Sequence, residues 1–201
     1  MAEADRVRWN ERYRAGDAPV VTAANRWLED HAALVDEVAA AAIAQGRPPA
    51  ALDLACGAGG AVAWLARRGW HVTGVDISDA ALGLARQALT QVAPQGDWQL
   101  LQADLDDWRP EPAAYDLITS FYFLNRRLWP ALREAVRPGG LLVIETYNCH
   151  ALSMRPQANP AYLLQPGELA NEISRWGWHI LDARSSTAGN GRDAVVATPS
   201  S

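Results

Sequence analysis

Five small residues between two apolar runs have the types and spacing best suited to chemistry. They read Cys56-Gly57-Ala58-Gly59-Gly60 and follow the apolar run 50–55. Glycine lets the backbone turn sharply and approach a ligand closely, because it carries no Cβ. A second apolar run, 70–75, ends at Asp76, whose carboxylate can accept hydrogen bonds from both hydroxyls of a ribose. The spacing therefore predicts a site for an adenosine-type cofactor.

The elements that would position this loop form half of a nucleotide-binding βαβ unit. The run 50–55 predicts a strand, a helix follows to Arg68, and Gly69 ends that helix as a left-handed cap. Asp79 is predicted to cap the next helix. Later apolar runs predict strands at 98–103, 115–120, 141–144, 178–184 and 194–197, the last two joined by the turn Asn190-Gly191.

Two further residues follow predicted strands on the same side of the expected sheet. An open parallel sheet collects its ligand contacts at the carboxyl ends of its strands. Asp104 comes directly after the strand 98–103, so its carboxylate is a candidate for an adenine amino group. Ile77 follows Asp76 and is expected to pack against an adenine face.

The first 45 residues are predicted to form an N-terminal helical cap on a single domain that spans 1–201. The pattern indicates a short helix over 3–15, a turn that includes Pro19, and a long helix over 25–45, on which His31 is expected at the surface. Trp9 and Tyr13 share a face of the first helix. The pair either closes a lid over the cofactor cleft or anchors the helix to the body.

Composition narrows the class of protein. The 201 residues suit one well-buried domain. A net charge of -5 argues against a nucleic-acid binder that depends on phosphate contacts. No run reaches membrane-spanning length, and no segment predicts a protein partner. Cys56 and Cys149 form no spacing motif and no metal-ligand cluster is present, which indicates a reduced cytoplasmic protein without metal.

The residue three positions after Gly59 distinguishes a dinucleotide-binding loop from other nucleotide-binding loops. A dinucleotide fingerprint has glycine there, after Gly57 and Gly59, and this chain has Val62. A nicotinamide-dependent oxidoreductase is therefore the alternative rather than the first hypothesis. A non-catalytic cofactor-binding protein is a further alternative, because the sequence near the expected site is aromatic and poor in bases.

The pattern Asp53-x-Ala55-x-Gly57-x-Gly59, followed by Asp76, resembles the S-adenosylmethionine loop of class I methyltransferases. That family usually has glycine where this chain has Ala55. The resemblance implies an α/β fold, a Rossmann-like three-layer α/β/α sandwich with a seven-stranded, mostly parallel sheet and a terminal antiparallel hairpin strand. It also implies S-adenosyl-L-methionine as cofactor and S-adenosyl-L-homocysteine as product.

Six motifs in order, LDLACGAGG, VTGVDIS, ADL, YDLITSFYFLN, RPGGLLVIET and LLQPGEL, are similar to small bacterial methyltransferases of the tellurite-resistance type. The resemblance implies three groups of contacts, to the methionine part, to the ribose and adenine, and to the sulfonium side of the cofactor. The methionine part would be held by Asp53, Ala55, Cys56, Gly57 and Gly59. The ribose and adenine would be held by Asp76, Ile77, Asp104 and Leu105. The sulfonium side would be approached by Ser120 and Phe121.

The methyl acceptor is less well defined by the sequence. The Asn-Pro-Pro-aromatic signature of amide and adenine N-methylation is absent, since the segment 120–123 reads SFYF. Aromatic residues near the expected mouth favour a small acceptor, such as a chalcogen oxyanion or a thiol. Candidates for a base or an orienting donor are Tyr122, Asn125, Tyr147 and His150.

Overall fold

The computed structural model describes residues 2–17 and 23–200, so the predicted turn at Pro19 lies outside the described residues. Within them the chain forms one sheet with the strand order β3-β2-β1-β4-β5-β7-β6. The strands are β1 Ala50–Leu54, β2 His71–Asp76, β3 Trp98–Gln102, β4 Tyr115–Phe121, β5 Val136–Tyr147, β6 His179–Ser185 and β7 Arg192–Thr198.

Helices cover both faces of the sheet. They are α1 Ala2–Ala15, α2 Arg26–Asp30, α3 Ala32–Ala44, α4 Gly60–Ala66, α5 Asp79–Val92, α6 Trp129–Ala135 and α7 Glu168–Arg175, with short 3-10 turns at Arg126–Leu128, Cys149–Ser153 and Pro160–Tyr162. Apolar residues of α3, α4 and α5 share one core with one face of the sheet. Those of α6 and α7 share a second core with the other face.

The direction of the strands confirms the predicted fold class. Strands β3, β2, β1, β4 and β5 are parallel neighbours. Strand β7 runs antiparallel to both β5 and β6, which makes the terminal hairpin. Central strands of a parallel sheet are covered on both faces, and this explains their continuous apolar sequences. Leu52 of β1 and Leu117 of β4 are both fully buried.

The long helix predicted over 25–45 is two helices that meet at His31. This residue has φ -107° and ψ 21°, which is not helical. Its imidazole ring lies 4.4 Å from the Trp27 ring, and its Nε2 atom lies 3.0 Å from a carboxylate oxygen of Asp182. The surface position predicted for His31 was therefore wrong, because its side chain is only 11% exposed and contacts a residue 151 positions away.

Three other local expectations need correction. Ser78, and not Asp79, is the N-cap of α5, since its hydroxyl accepts a hydrogen bond from Ala81. The strand predicted at 141–144 is longer, Val136–Tyr147, and its segment 137–140 is irregular, because the register against β4 shifts there and Gly139 has φ 76°. Helix α3 belongs to a layer of the sandwich through its buried Val35, so we restrict the name cap to α1.

None of the described helices is both long enough and apolar enough to cross a membrane. Helix α1 packs instead against α5, next to the carboxyl ends of β1 and β2. Asn10 holds it there, because its side chain bonds to Asp79 at 2.5 Å and accepts from the Ser78 hydroxyl at 2.7 Å. The cap therefore lies beside the glycine loop.

Candidate active site

The structure brings the glycine loop and the acid at the end of β2 together. The backbone N–H of Gly57 donates to one carboxylate oxygen of Asp76 at 2.9 Å, and that of Ser78 donates to the other at 2.8 Å. Gly57 and Gly59 have φ 53° and 81°, the left-handed region that glycine adopts without strain. Burial raises the pKa of Asp76, while these N–H donors oppose the rise.

Ala55 shows how the loop adapts where the related family usually has glycine. It has φ 51°, so an alanine side chain is held in the left-handed region. This conformation costs roughly 1–2 kcal/mol for an L-residue. The next residue, Cys56, donates its backbone N–H to Val75 of β2 at 3.0 Å. Burial raises the pKa of its thiol well above the usual range, so the thiol is a packing group here.

Asp53 lies beneath the loop as a buried acid. It is 3% exposed and accepts a hydrogen bond from the Thr119 hydroxyl at 2.7 Å. Burial raises the pKa of Asp53 to about 7, the charge of Asp76 adds to the rise, and the Thr119 hydroxyl opposes it. A cationic group placed beside Asp53 would favour the ionised carboxylate. The ammonium group of S-adenosylmethionine fits this requirement.

Asp104 offers a hydrogen-bond acceptor at the end of β3. One of its carboxylate oxygens accepts from the backbone N–H of Asp106 at 2.9 Å. The other is buried and has no partner among the described residues. A buried, unused acceptor requires a donor, and an adenine amino group supplies one. Leu105 turns its side chain into the core, its backbone carbonyl accepts from Asn125 and Arg109, and Ile77 is half-buried directly after β2.

Helix α1 places Tyr13, one residue of the aromatic pair, against the loop. The rings of Trp9 and Tyr13 lie 6.2 Å apart. A Cβ built on Gly57 would stand 2.6 Å from the Tyr13 hydroxyl oxygen, so this phenol lies against the glycine backbone. Burial, and then the charge of Asp76, raise the pKa of Tyr13 to about 12. Asn10 fixes the helix, and sequence analysis missed it because its partner Asp79 is 69 residues away.

The end of β4 leads from the cofactor edge to the expected acceptor side. Ser120 is buried and pairs with Leu54, directly before the glycine loop, while Phe121 pairs with Glu145 of β5. Tyr122 follows with φ 59°. A left-handed conformation is unusual for a bulky residue and often marks a functional site.

The four candidates for a base or an orienting donor differ in what they can do. Burial, and then the charge of Glu145, raise the pKa of Tyr122 to about 12, so its phenol is a hydrogen-bond donor at neutral pH. Asn125 donates to Leu105 and to Asp106, each at 3.0 Å, and its amide oxygen caps a 3-10 turn. The amide of Asn125 is thus used within the fold. Tyr147 stacks on Tyr122, and His150 is exposed on a 3-10 turn.

A buried ion-pair network beside these tyrosines was missed by sequence analysis. Glu145 is 1% exposed and pairs with the guanidinium groups of Arg184 and Arg192. Asn25 donates to the same carboxylate at 3.0 Å. Burial acts to raise the pKa of Glu145, but these donors outweigh it and lower the pKa. The position of Arg192 after the Asn190-Gly191 turn was a usable signal, because a reversed strand beside β5 begins at the ligand edge.

Fold and site together are similar to those of class I, S-adenosylmethionine-dependent methyltransferases. Residues 51–140 match the family model described as methyltransferase domain. The chain is 30% identical to a ubiquinone biosynthesis O-methyltransferase of Azoarcus sp. (strain BH72), over 68% of this chain and 66% of that protein. It is 32% identical to a ribosomal RNA small subunit methyltransferase C of Alcanivorax borkumensis, over 48% of this chain and 32% of that protein.

A solved structure extends the likeness of fold to the whole chain. Magnesium protoporphyrin IX methyltransferase from Synechocystis PCC 6803, with bound S-adenosylhomocysteine, superposes with a TM-score of 0.65, 20% identity and full coverage of both chains. Residues 51–140 thus match a methyltransferase domain, and the fold of the chain is that of a protein solved with S-adenosylhomocysteine. It spans less than two thirds of either curated relative, at 66% and 32% of their lengths.

Proposed function

We propose that this protein transfers a methyl group from S-adenosylmethionine to a small-molecule acceptor. The observation that carries the proposal is the contact between Gly57 and Asp76, which brings a side-chain-free backbone and a carboxylate to one edge of the sheet. The unused oxygen of Asp104 lies at the end of the neighbouring strand β3 and supplies an acceptor for the adenine end of the cofactor.

Each acid has a proposed role in holding the cofactor. Asp76 binds the ribose hydroxyls, Asp104 binds the adenine amino group, and Asp53 binds the ammonium group. When bound, S-adenosylmethionine supplies a sulfonium-activated methyl: the acceptor atom bonds to the methyl carbon while the C–S bond breaks, and its electron pair stays on sulfur. The protein must orient the acceptor and exclude water, which is the role we give to Tyr13 and Tyr122.

A small acceptor is favoured over a nucleic acid by the net charge of -5 and by the aromatic side chains near the mouth. The relatives named above include enzymes named for a quinone and a porphyrin, but also one named for ribosomal RNA. A chalcogen oxyanion or a thiol, suggested by the tellurite-type motifs, belongs in the acceptor panel. The assignment to that subgroup is a proposal.

Calorimetry with S-adenosylhomocysteine tests the cofactor site. Wild-type protein is expected to bind it, and Asp76→Asn is expected to weaken binding by about 10-fold to 100-fold, as for lost hydrogen bonds to a charged group. Asp107→Asn is the matched control, because Asp107 is exposed in the loop after Asp104. No binding by the wild type, or equal binding by Asp76→Asn, would refute the proposal.

Methyl release into thiols, phenols, amines and oxyanions then tests catalysis. Transfer to any small acceptor supports the proposal. Binding of S-adenosylhomocysteine without transfer to any acceptor would instead support a non-catalytic cofactor-binding protein. Binding of NADH in place of the adenosyl ligand would support the oxidoreductase alternative.

A further inference from the structure

Four side chains form a cluster at the ends of β4, β5 and β7. Tyr122 and Tyr147 stack with ring centroids 5.2 Å apart and planes inclined by 26°. The guanidinium carbon of Arg192 lies 5.1 Å from the Tyr122 centroid and 5.6 Å from that of Tyr147. The guanidinium carbon of Arg155 lies 4.4 Å from the Tyr147 centroid. We call these four residues the tyrosine–arginine cluster.

The backbone explains why the cluster lies at the ligand edge. Strand β7 is antiparallel to β5, so its first residue, Arg192, pairs directly with Tyr147 at the end of β5. Tyr122 comes two residues after Ser120, which pairs with Leu54 before the glycine loop. The cluster thus adjoins the proposed cofactor site through β4.

The surroundings of the cluster carry an excess of positive charge. Glu145 forms ion pairs with Arg184 and Arg192, and it is buried beneath them. Within residues 2–17 and 23–200, Arg155 is exposed and forms no ion pair. Two guanidinium groups therefore share a single carboxylate, and Arg155 adds a third positive charge over the Tyr147 ring. An anionic group arriving at this edge would restore the balance of charge.

Arg192 has a donor that the fold does not use. Its Nη1 atom lies 3.3 Å from a carboxylate oxygen of Glu145. Its Nε atom is buried and has no partner among the described residues. Buried donors are normally paired, and a guanidinium group matches the geometry of an oxyanion. An incoming oxyanion would satisfy this donor.

Tyr122 supplies an aromatic surface next to that donor. The residue is 46% exposed although it packs on Tyr147 and lies below Arg192. Its left-handed backbone, with φ 59°, costs free energy that the surrounding structure must offset. Planar groups stack on such rings in an offset arrangement. The exposed part of Tyr122 is therefore suited to a flat, unsaturated body.

We propose that the methyl acceptor is a small planar organic acid. Its carboxylate, or a comparable oxyanion group, binds Arg192 and Arg155, and its planar part stacks on Tyr122. The inference rests on the proposed function and adds the chemical class of the acceptor. A neutral acceptor would leave the arginines unused, and an inorganic oxyanion would leave the aromatic surface unused.

Matched acceptor pairs that differ only in charge test the inference. The pairs are 3,4-dihydroxybenzoate with 3,4-dihydroxybenzamide, and 3-mercaptobenzoate with 3-mercaptobenzamide. We expect kcat/KM to favour each acid by about 10-fold to 100-fold, the usual effect of a charge-assisted hydrogen bond. Arg192→Gln and Arg155→Gln should remove most of this preference, and Arg192→Lys should keep part of it. Tyr122→Leu should raise KM for both members of a pair.

Arg184→Gln is the matched control, because Arg184 pairs with the same Glu145 but lies over the Trp27 ring instead of the tyrosines. This variant should keep the preference for the acid. The inference would be overturned by equal rates for acid and amide, or by equal effects of Arg184→Gln and Arg192→Gln. A preference for selenite over both acids would also overturn it.

Calorimetry separates failure of this inference from failure of the proposed function. If turnover is absent, 3,4-dihydroxybenzoate is titrated into the complex with S-adenosylhomocysteine. Binding that Arg155→Gln weakens supports the inference, and no binding overturns it. Arg155→Gln is informative even if Arg192→Gln does not fold, because Arg155 is exposed. The proposed function fails separately if S-adenosylhomocysteine itself does not bind.

Discussion

The hydroxyl oxygen of Tyr13 stands 2.6 Å from the position that a Cβ on Gly57 would occupy. Helix α1 therefore fills the space that the glycine loop leaves open. The two residues belong to different elements, and Asn10 holds those elements together through Asp79 and Ser78. A side chain added at Gly57 must displace the Tyr13 hydroxyl.

This contact predicts coupling between Gly57 and Tyr13. Gly57→Ala should destabilise the protein by about 1–2 kcal/mol through its left-handed backbone alone, and the overlap with the phenol should add to that. Tyr13→Phe removes the overlapping oxygen, so Gly57→Ala should cost less in that background. Urea denaturation of the two single variants and the double variant measures the coupling. Strict additivity would show that α1 does not rest on the loop in solution.

The strained alanine at 55 predicts a stabilising substitution. Ala55→Gly should raise the free energy of unfolding by about 1 kcal/mol, because glycine adopts the left-handed region without the Cβ clash. Ala63→Gly is the control, since Ala63 lies within α4, where glycine should cost about 1 kcal/mol. Urea denaturation at pH 7 compares the two. Destabilisation by both variants would contradict the assigned backbone conformation.

The raised pKa of Asp53 predicts that the free energy of unfolding depends on pH. Its folded-state pKa is raised from 3.8 to about 7, so the folded protein holds a proton that the unfolded chain has lost between these values. The stabilisation it provides is therefore complete below about pH 4 and is lost as the pH rises through about 7. Asp53→Asn does not titrate. Relative to that variant, wild type should lose stability from pH 4 to pH 8, by at most on the order of 4 kcal/mol.

Urea denaturation of both proteins without cofactor, at pH 4, 5, 6, 7 and 8, measures this difference. Asp107→Asn serves as the control and should track wild type at every pH, because Asp107 is exposed. A difference between wild type and Asp53→Asn that stays constant across the range would refute the raised pKa.

The network around Glu145 predicts a large loss of stability. Glu145→Gln removes the charge that balances two guanidinium groups, and breaking a buried ion pair on one side costs about 3–5 kcal/mol. Glu172→Gln is the control, since its pair with Arg175 is on the surface and should contribute less than about 1 kcal/mol. Thermal and urea unfolding measure both. A loss below 1 kcal/mol for Glu145→Gln would show that the network is solvated.

The glycine loop and the sheet could be predicted because their signals are local. Gly57 and Gly59 mark a tight turn, Asp76 ends an apolar run, and Asn190-Gly191 marks a hairpin. Each signal lies within a few residues of the feature that it predicts. The parallel order and the reversed strand then follow from the family resemblance, and the sheet has that order.

The features that could not be predicted depend on distant partners. His31 interrupts a helix whose sequence is otherwise continuous, because Trp27 and Asp182 both contact its ring. Ile43 is a large apolar residue of the same predicted helix, yet it is 63% exposed. Nothing near either residue in the sequence distinguishes it from its neighbours. Helical periodicity alone does not report which side chains the sheet will cover.

The side chains of the proposed acceptor site could not be predicted as a group either, because their partners are also distant in the sequence. The sequence analysis proposed Tyr122 and Tyr147 as separate candidates, and the structure stacks them. It gave no role to Arg155 or Glu145, which carry no spacing signal, and it did not use the position of Arg192 after the hairpin turn. The buried carboxylate of Glu145 is shared by Asn25, Arg184 and Arg192, which come from distant parts of the chain, and Arg155 lies over the Tyr147 ring.

The reversed direction of β7 has a consequence for the order in which the protein is made. The glycine loop, Asp76 and Asp104 are synthesised well before Arg192, which reaches the site only when β7 inserts beside β5. A nascent chain can thus assemble the loop and the two acids at the strand ends while Arg192, the last residue of the proposed acceptor site to be synthesised, is still inside the ribosome.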